Sequence, residues 1–252
     1  MDLGIKGKTA IVTGGSRGVG KAVVLALAEA GAHVVFTYQS NRAKAEALLE
    51  EVRLRGTEAE AIQLDLSDAA ATETVIEQAV KRFGRVDLLV NNAAVWPTSY
   101  VKDIELNQWN ETMQINLTSV FLLCQRFVNH CLTVGKPGKI LNVTSQAAFH
   151  GSTTGHAHYA ASKAGLVGFS ISLAREHAKD GINVNSLALG IVETDMIKDA
   201  LAQNEAYYVN RIPLGRVAQP KEIAEIACFL VSEKANYITG ATLDATGGML
   251  MR

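Results

Sequence analysis

Residues 8–30 join a short apolar strand, Lys8-Thr9-Ala10-Ile11-Val12-Thr13, to an alanine-rich helix through Gly14-Gly15-Ser16-Arg17-Gly18-Val19-Gly20. Four glycines in seven residues are more than a tight turn needs. Glycine lets a ligand approach the backbone, and the free N–H groups of a helix N-terminus accept negative charge, so this unit predicts a phosphate cradle. Gly15-x-x-x-x-Gly20-Lys21 nearly meets the P-loop pattern of triphosphate-binding proteins, but Ala22 follows and offers no hydroxyl to Mg²⁺. A phosphotransferase is therefore the weaker reading.

The same alternation continues along the chain. Strands are predicted at 33–38, 60–64, 87–90, 139–145, 182–187 and 241–245, with helical patterns between them and no repeat, linker or low-complexity tract. One helix is expected to reach Phe83, and Leu106 to Leu132 reads as two helices with Asn116 near their junction. Between Leu117 and Leu132 apolar residues occupy more than one face, which predicts burial against a partner subunit as well as the sheet. After the second strand, Tyr38-Gln39-Ser40-Asn41-Arg42 contains no carboxylate to bond an NAD ribose. Arg42, the polar groups before it and Arg17 would instead hold the extra phosphate of NADP, so NADP(H) is expected over NAD(H).

Tyr159 and Lys163 are four residues apart, which on a helix puts the phenol and the ammonium on one face. Bringing a phenol from a pKa near 10 down by about three units takes roughly 4 kcal/mol. A cation at about 4 Å supplies about that much at an effective dielectric near 20. Desolvation opposes the shift, so the second positive charge of an oxidised nicotinamide would help. Ser145 ends the fifth strand, where ligands of open α/β sheets sit. The loop between carries His150, His156 and His158, too sparse a set to predict a metal site. The insertion after the sixth strand, about 190–216, is expected to be a lid over the substrate. Trp96, Phe149, His150, Met196, Tyr207 and Tyr208 are candidates for its pocket.

The 252 residues carry 24 Lys plus Arg against 25 Asp plus Glu, and 48% are hydrophobic. That balance predicts a deep core and no nucleic-acid or anionic-membrane partner. No apolar stretch reaches a bilayer span and no signal peptide precedes the first strand, so a cytoplasmic protein is expected. Cys124, Cys131 and Cys228 are expected as buried free thiols.

Thr13-Gly14-x-x-x-Gly18-x-Gly20, Asp65, Asn91-Asn92-Ala93, Asn116, Ser145 and Tyr159-x-x-x-Lys163, in this order, resemble the motifs of the classical short-chain dehydrogenase/reductase family over the whole chain. Glu193-Thr194-Asp195-Met196 and the ending Ile238-Thr239-Gly240 through Gly247-Gly248-Met249 are most similar to its β-ketoacyl-acyl-carrier-protein reductases. The resemblance implies a single-domain, doubly wound α/β Rossmann fold with a parallel sheet of about seven strands and helices on both faces. It implies interconversion of a carbonyl and a secondary alcohol by hydride transfer, with Tyr159 as acid and base, Ser145 orienting the substrate oxygen, Lys163 tuning Tyr159 and holding the ribose, and Asn116 positioning a water. Cofactor contacts are implied at Gly14, Ser16, Arg17, Gly18, Val19, Gly20, Tyr38, Ser40, Asn41, Arg42, Asp65, Leu66, Asn92, Ala93, Ala94, Tyr159, Lys163, Val192 and Thr194.

The implied substrate is a small-molecule or acyl-thioester carbonyl, 3-oxoacyl thioesters included, and the implied assembly is a homotetramer. A sugar, steroid or small-ketone dehydrogenase and a noncatalytic NADP-binding sensor remain open. Three departures from the family pattern stand out: Ala94 replaces a glycine, Leu189 replaces a proline, and Asp180 lies beside Lys179, which with Lys136 would otherwise greet an acidic acyl carrier protein.

Overall fold

The computed structural model describes residues 2–195 and 197–252. Its strands are β1 (Thr9–Val12), β2 (His33–Tyr38), β3 (Ala59–Gln63), β4 (Leu88–Asn91), β5 (Gly138–Ser145), β6 (Ile182–Leu189) and β7 (Thr242–Ala245). They form one parallel sheet in the order β3-β2-β1-β4-β5-β6-β7. The helices are α1 (Gly18–Glu29), α2 (Arg42–Arg53), α3 (Ala69–Glu73), α4 (Val75–Phe83), α5 (Leu106–Met113), α6 (Ser119–Val134), α7 (Ala147–His150), α8 (Ala157–His177), α9 (Lys198–Gln203), α10 (Glu205–Val209) and α11 (Pro220–Leu230).

The period of two along each strand sorts the core into two layers. Ala10, Val12, Val34, Phe36, Leu88 and Val90 pack under α1, α2 and α11. Ile11, Val35, Leu89 and Ile140 pack under α4, α6 and α8. Burial on both faces explains why these strands read as unbroken apolar runs. The strand order reverses between β1 and β4, and the crevice beyond their carboxyl ends is where such sheets hold ligands.

Three differences from the sequence expectations have local causes. The helix leading to Phe83 is broken at Thr74, whose hydroxyl donates to the Ala71 carbonyl at 2.8 Å. β6 runs on to Leu189, which is in register with Ser145 on one side and Ala245 on the other, at a position where a proline would lack an N–H. Most of the apolar surplus of α6 is absorbed within the chain: Val120, Leu122, Leu123, Cys124, Phe127, Val128 and Cys131 are buried, while Phe121 and Leu132 stay 42% and 47% exposed. The three cysteines are buried free thiols.

Candidate active site

A cavity of about 700 Å³ opens at the crevice. Its floor is the glycine loop, fixed by the neighbouring strands. Gly14 N–H donates to the Thr37 hydroxyl at 3.1 Å and Gly15 N–H to the Thr37 carbonyl at 2.9 Å. The buried Thr13 hydroxyl accepts the N–H groups of Asn92 and Ala93 at 3.0 and 3.1 Å, and the Asn92 amide returns a bond to the Thr13 carbonyl at 3.0 Å. A Cβ at Gly20 would stand 2.2 Å from the Gly14 oxygen. α1 starts with no side-chain cap and no acidic residue in its first turn, so its leading N–H groups face the cavity uncompensated. Backbone approach and unanswered donors fit a bound pyrophosphate. At the far end of this floor the Asp65 carboxyl accepts Ser67 N–H at 2.9 Å, and that bonding holds it below the ordinary carboxylate range, ready to accept from an amino group.

The wall opposite comes from β5 and α8. Buried side chains lock the two together: Asn91 Nδ2 donates to Asn142 Oδ1 at 2.8 Å, Asn142 Nδ2 to the Ser170 hydroxyl at 2.8 Å, and the Thr144 hydroxyl to the Lys163 carbonyl at 3.1 Å. This sets Tyr159 beside Ser145 on the cavity wall. Burial pushes the phenol above its ordinary value and the neighbouring Ser145 hydroxyl pulls it back. Lys163, 3% exposed, donates from Nζ to the Val143 carbonyl at 2.8 Å and lies 5.8 Å from the centre of the Tyr159 ring. Without a carboxylate beside it, burial lowers its pKa to about 8.

Asn116 lies in a single π-helical turn, Gln114–Thr118, between α5 and α6. Its side chain is consumed by the fold. Nδ2 donates to the Val95 carbonyl at 3.0 Å and the Ser162 hydroxyl at 3.1 Å, and Oδ1 accepts Val95 N–H at 2.9 Å. Both amide donors of the side chain are therefore committed, and Asn116 does not line the cavity.

A family model described as enoyl-(acyl carrier protein) reductase matches residues 14–250. Over 245 residues the chain is 39% identical to the 3-oxoacyl-[acyl-carrier-protein] reductase FabG of Staphylococcus aureus strain Mu50, covering 97% of this chain and 98% of that protein. It is also 39% identical over 249 residues to FabG of Escherichia coli K12, covering 99% and 100%. The structure of a short-chain dehydrogenase from Burkholderia cenocepacia J2315 in complex with NADP matches with a TM-score of 0.91 at 32% identity, covering 98% of this chain and 99% of that one. The chain belongs to the short-chain dehydrogenase/reductase family.

Within this short-chain dehydrogenase/reductase, Gly14, Ser16, Arg17, Gly18, Val19, Gly20, Tyr38, Asp65, Leu66, Asn92, Ala93, Ala94, Ser145, Tyr159, Lys163, Val192 and Thr194 all line the one cavity. Ser40, Asn41 and Arg42 do not line it. Asn41 caps α2 by accepting Lys44 N–H at 2.9 Å, which carries Arg42 into the first turn, where it pairs with Glu46 at 2.7 Å and is 78% exposed. Arg17 is left as the arginine on this side of the cavity. Of the pocket candidates, Trp96, His150, Tyr207 and Tyr208 line the cavity, whereas Phe149 packs under the Arg252 guanidinium at 3.7 Å. Met196 lies outside the described residues.

Gln146, His156 and Arg211 also line the cavity, and of these the sequence had singled out only His156, as a pocket or surface residue. Gln146 has its Oε1 buried and unpartnered among the described residues. His156 stacks on Trp96 at 4.0 Å with Nδ1 bonded to the Pro97 carbonyl at 2.8 Å, and burial lowers its pKa. Arg211 follows α10, four residues after Tyr207, a helical spacing that could have drawn notice.

Proposed function

We propose that this enzyme interconverts a carbonyl and a secondary alcohol with NADP(H). One observation carries the reading: Ser145, Tyr159 and, one helical turn on, Lys163 share a cavity with the glycine cradle. The cradle and α1 would hold the pyrophosphate, Asp65 the adenine, Arg17 the extra phosphate, and Thr194 and Val192 the nicotinamide end. NADP is favoured over NAD because Tyr38 and Gln39 bring no carboxylate to the end of β2. The burial that raises the Tyr159 phenol keeps it protonated at neutral pH, as a general acid for reduction must be. When bound, NADPH supplies the hydride for the carbonyl carbon. Ser145 donates to the carbonyl oxygen and orients it, Tyr159 delivers the proton, and Lys163 stabilises the phenolate left behind. Asn116 acts as a positioning residue, fastening the Val95 loop to α8 through Ser162.

The described residues between 194 and 217 would form the lid. Their neck is closed where Glu193 N–H donates to the Ala218 carbonyl at 2.9 Å and Ala218 N–H to the Ile191 carbonyl at 3.0 Å. The similarity to FabG supports a 3-oxoacyl thioester as substrate. A homotetramer would use the exposed Phe121 on α6, which meets Phe169 of α8 edge-on at 6.1 Å. Among the described residues no helix is long and apolar enough to cross a membrane. That agrees with a cytoplasmic enzyme.

The test is consumption of NADPH and NADH with a panel of acetoacetyl thioesters, diketones, ketoesters and oxo sugars, with the alcohol product identified. Turnover of one class with NADPH preferred supports the reading. Preference for NADH would remove the role given to Arg17, and tight NADPH binding with no turnover would favour a sensor.

A further inference from the structure

The lid carries a cation that no acid among the described residues pairs with. Eight of the eleven arginines lie within salt-bridge distance of a carboxylate, and among the described residues Arg17, Arg175 and Arg211 do not. Arg17 and Arg211 line the cavity. Arg17 belongs to the glycine loop and feels the charge of Asp195. Arg211 has only an aromatic partner. One N–H of its fork donates to the Tyr207 hydroxyl at 3.0 Å, and the guanidinium stands 5.1 Å from the centre of the Tyr207 ring, itself edge-on to Tyr208 at 5.2 Å. These contacts aim the guanidinium without neutralising it, and they leave its other donors unbound among the described residues.

The surrounding wall does not answer the charge either. The only carboxylates lining the cavity, among the described residues, are Asp65 and Asp195. Asp65 is at the Leu64–Leu66 side of the floor, and Asp195 is paired with Lys44 at 3.0 Å. The remaining lining supplies no acid either: Ser145, Gln146, Thr154, Trp96 and Met249 carry no charge, and Lys163 is a further cation. Burial lowers the pKa of His156, so its imidazole is neutral there. An uncompensated planar fork in a wall without a free carboxylate matches an oxyanion with two accepting oxygens.

Resting on the reductase reading above, we propose that Arg211 anchors an anionic group on the substrate, remote from the carbonyl that Tyr159 serves, and so selects oxyanion-bearing carbonyl compounds. The anion has two possible sources, the carboxylate of a free oxo acid or the phosphate on the arm of a thioester. Tyr207 positions the fork.

The experiment uses matched pairs that differ only in the charge. Levulinate is compared with its methyl ester, and acetoacetyl-phosphopantetheine with acetoacetyl-N-acetylcysteamine, on the NADPH-loaded protein with wild type, Arg211→Gln and Arg211→Lys. A charge-assisted hydrogen bond of this kind implies that Arg211→Gln lowers the charged-to-uncharged ratio of kcat/KM by roughly 10- to 100-fold. Arg211→Lys should restore part of the ratio, and added salt should erode it in wild type. Loss confined to levulinate assigns the carboxylate; loss confined to the phosphopantetheine pair assigns the phosphate. An unchanged ratio, including a general loss of activity on both members, overturns the anchor. Calorimetric binding of levulinate and of pantetheine phosphate is read in parallel. Binding that Arg211→Gln abolishes, with no turnover of any compound, upholds the anchor and counts against the reductase reading. Binding that is absent, or indifferent to the substitution, without turnover overturns the anchor.

Discussion

At the glycine-loop end of the cavity the wall is backbone held in the register of the sheet; at the lid end it is side chains carried on short exposed helices. Gly14, Gly15, Thr13 and Asn92 are tied to β2 and β4 by bonds of 2.9 to 3.1 Å, and nothing there can shift without breaking the strand order. The lid has α9 and α10, of six and five residues, too short to be stable alone. It is held at its neck, by buried Ile212, by Leu214 N–H on the Gly247 carbonyl at 3.1 Å, and by the exposed Lys44–Asp195 pair. A site can thus be preorganised for the cofactor that every turnover shares, while the part that meets the substrate opens at small cost.

The largest effect should come from breaking the rigid end. Gly20→Ala puts a methyl 2.2 Å from the Gly14 oxygen and 2.6 Å from Asn92 Nδ2, with backbone on one side and a bonded amide on the other. NADPH affinity by calorimetry should fall at least ~10-fold, with about 1–3 kcal/mol of stability lost to overpacking. Unaltered affinity would mean that the loop is as pliable as the lid.

Lys163→Met sharpens the contrast between function and stability. The folded pKa of about 8 lies below the unfolded 10.5, so the folded state releases this proton first. Below about pH 8 the buried charge costs the cofactor-free fold roughly 3 kcal/mol, and the cost is relieved as pH rises from about 8 to about 10.5. The Lys163 contribution, read by denaturant unfolding as the stability of wild type minus that of Lys163→Met, should therefore rise with pH across that window, since Lys139, lowered by burial to about 8, and the buried cysteines, raised by it, are common to both proteins. At neutral pH Lys163→Met should be the more stable while turnover is lost. A destabilised Lys163→Met would show that the ammonium is well solvated in the fold.

The smallest effect belongs to the lid tie. Lys44 and Asp195 are half exposed, so Asp195→Asn should cost under ~1 kcal/mol, seen as a less than about fivefold faster proteolysis within 194–217. High salt should mimic it in wild type. A much larger change would place the lid among the rigid parts.

What was legible in the sequence follows the same division. The cradle and the Tyr159–Lys163 pair are local, one a strand-turn-helix and the other a single helical turn, so spacing alone located them. Asn116 was located but its side-chain partners were not, because Val95 and Ser162 are 21 and 46 residues away. The direction of Arg42 was not legible, because position after a strand does not set it; the Asn41 cap and Glu46 do. Arg211 was invisible for a different reason. Tyr207 and Arg211 share the spacing of Tyr159 and Lys163, but only the tertiary path of the lid turns them toward the cavity.

The proton donor is the centre of the account, and Tyr159→Phe tests it most directly when NADPH affinity and turnover are measured on the same preparation. The substitution should leave NADPH affinity near wild type, since the cradle is untouched, and lower kcat by roughly 10²- to 10⁴-fold. Turnover within a few-fold of wild type, at matched affinity, would contradict the assignment of Tyr159 as the acid.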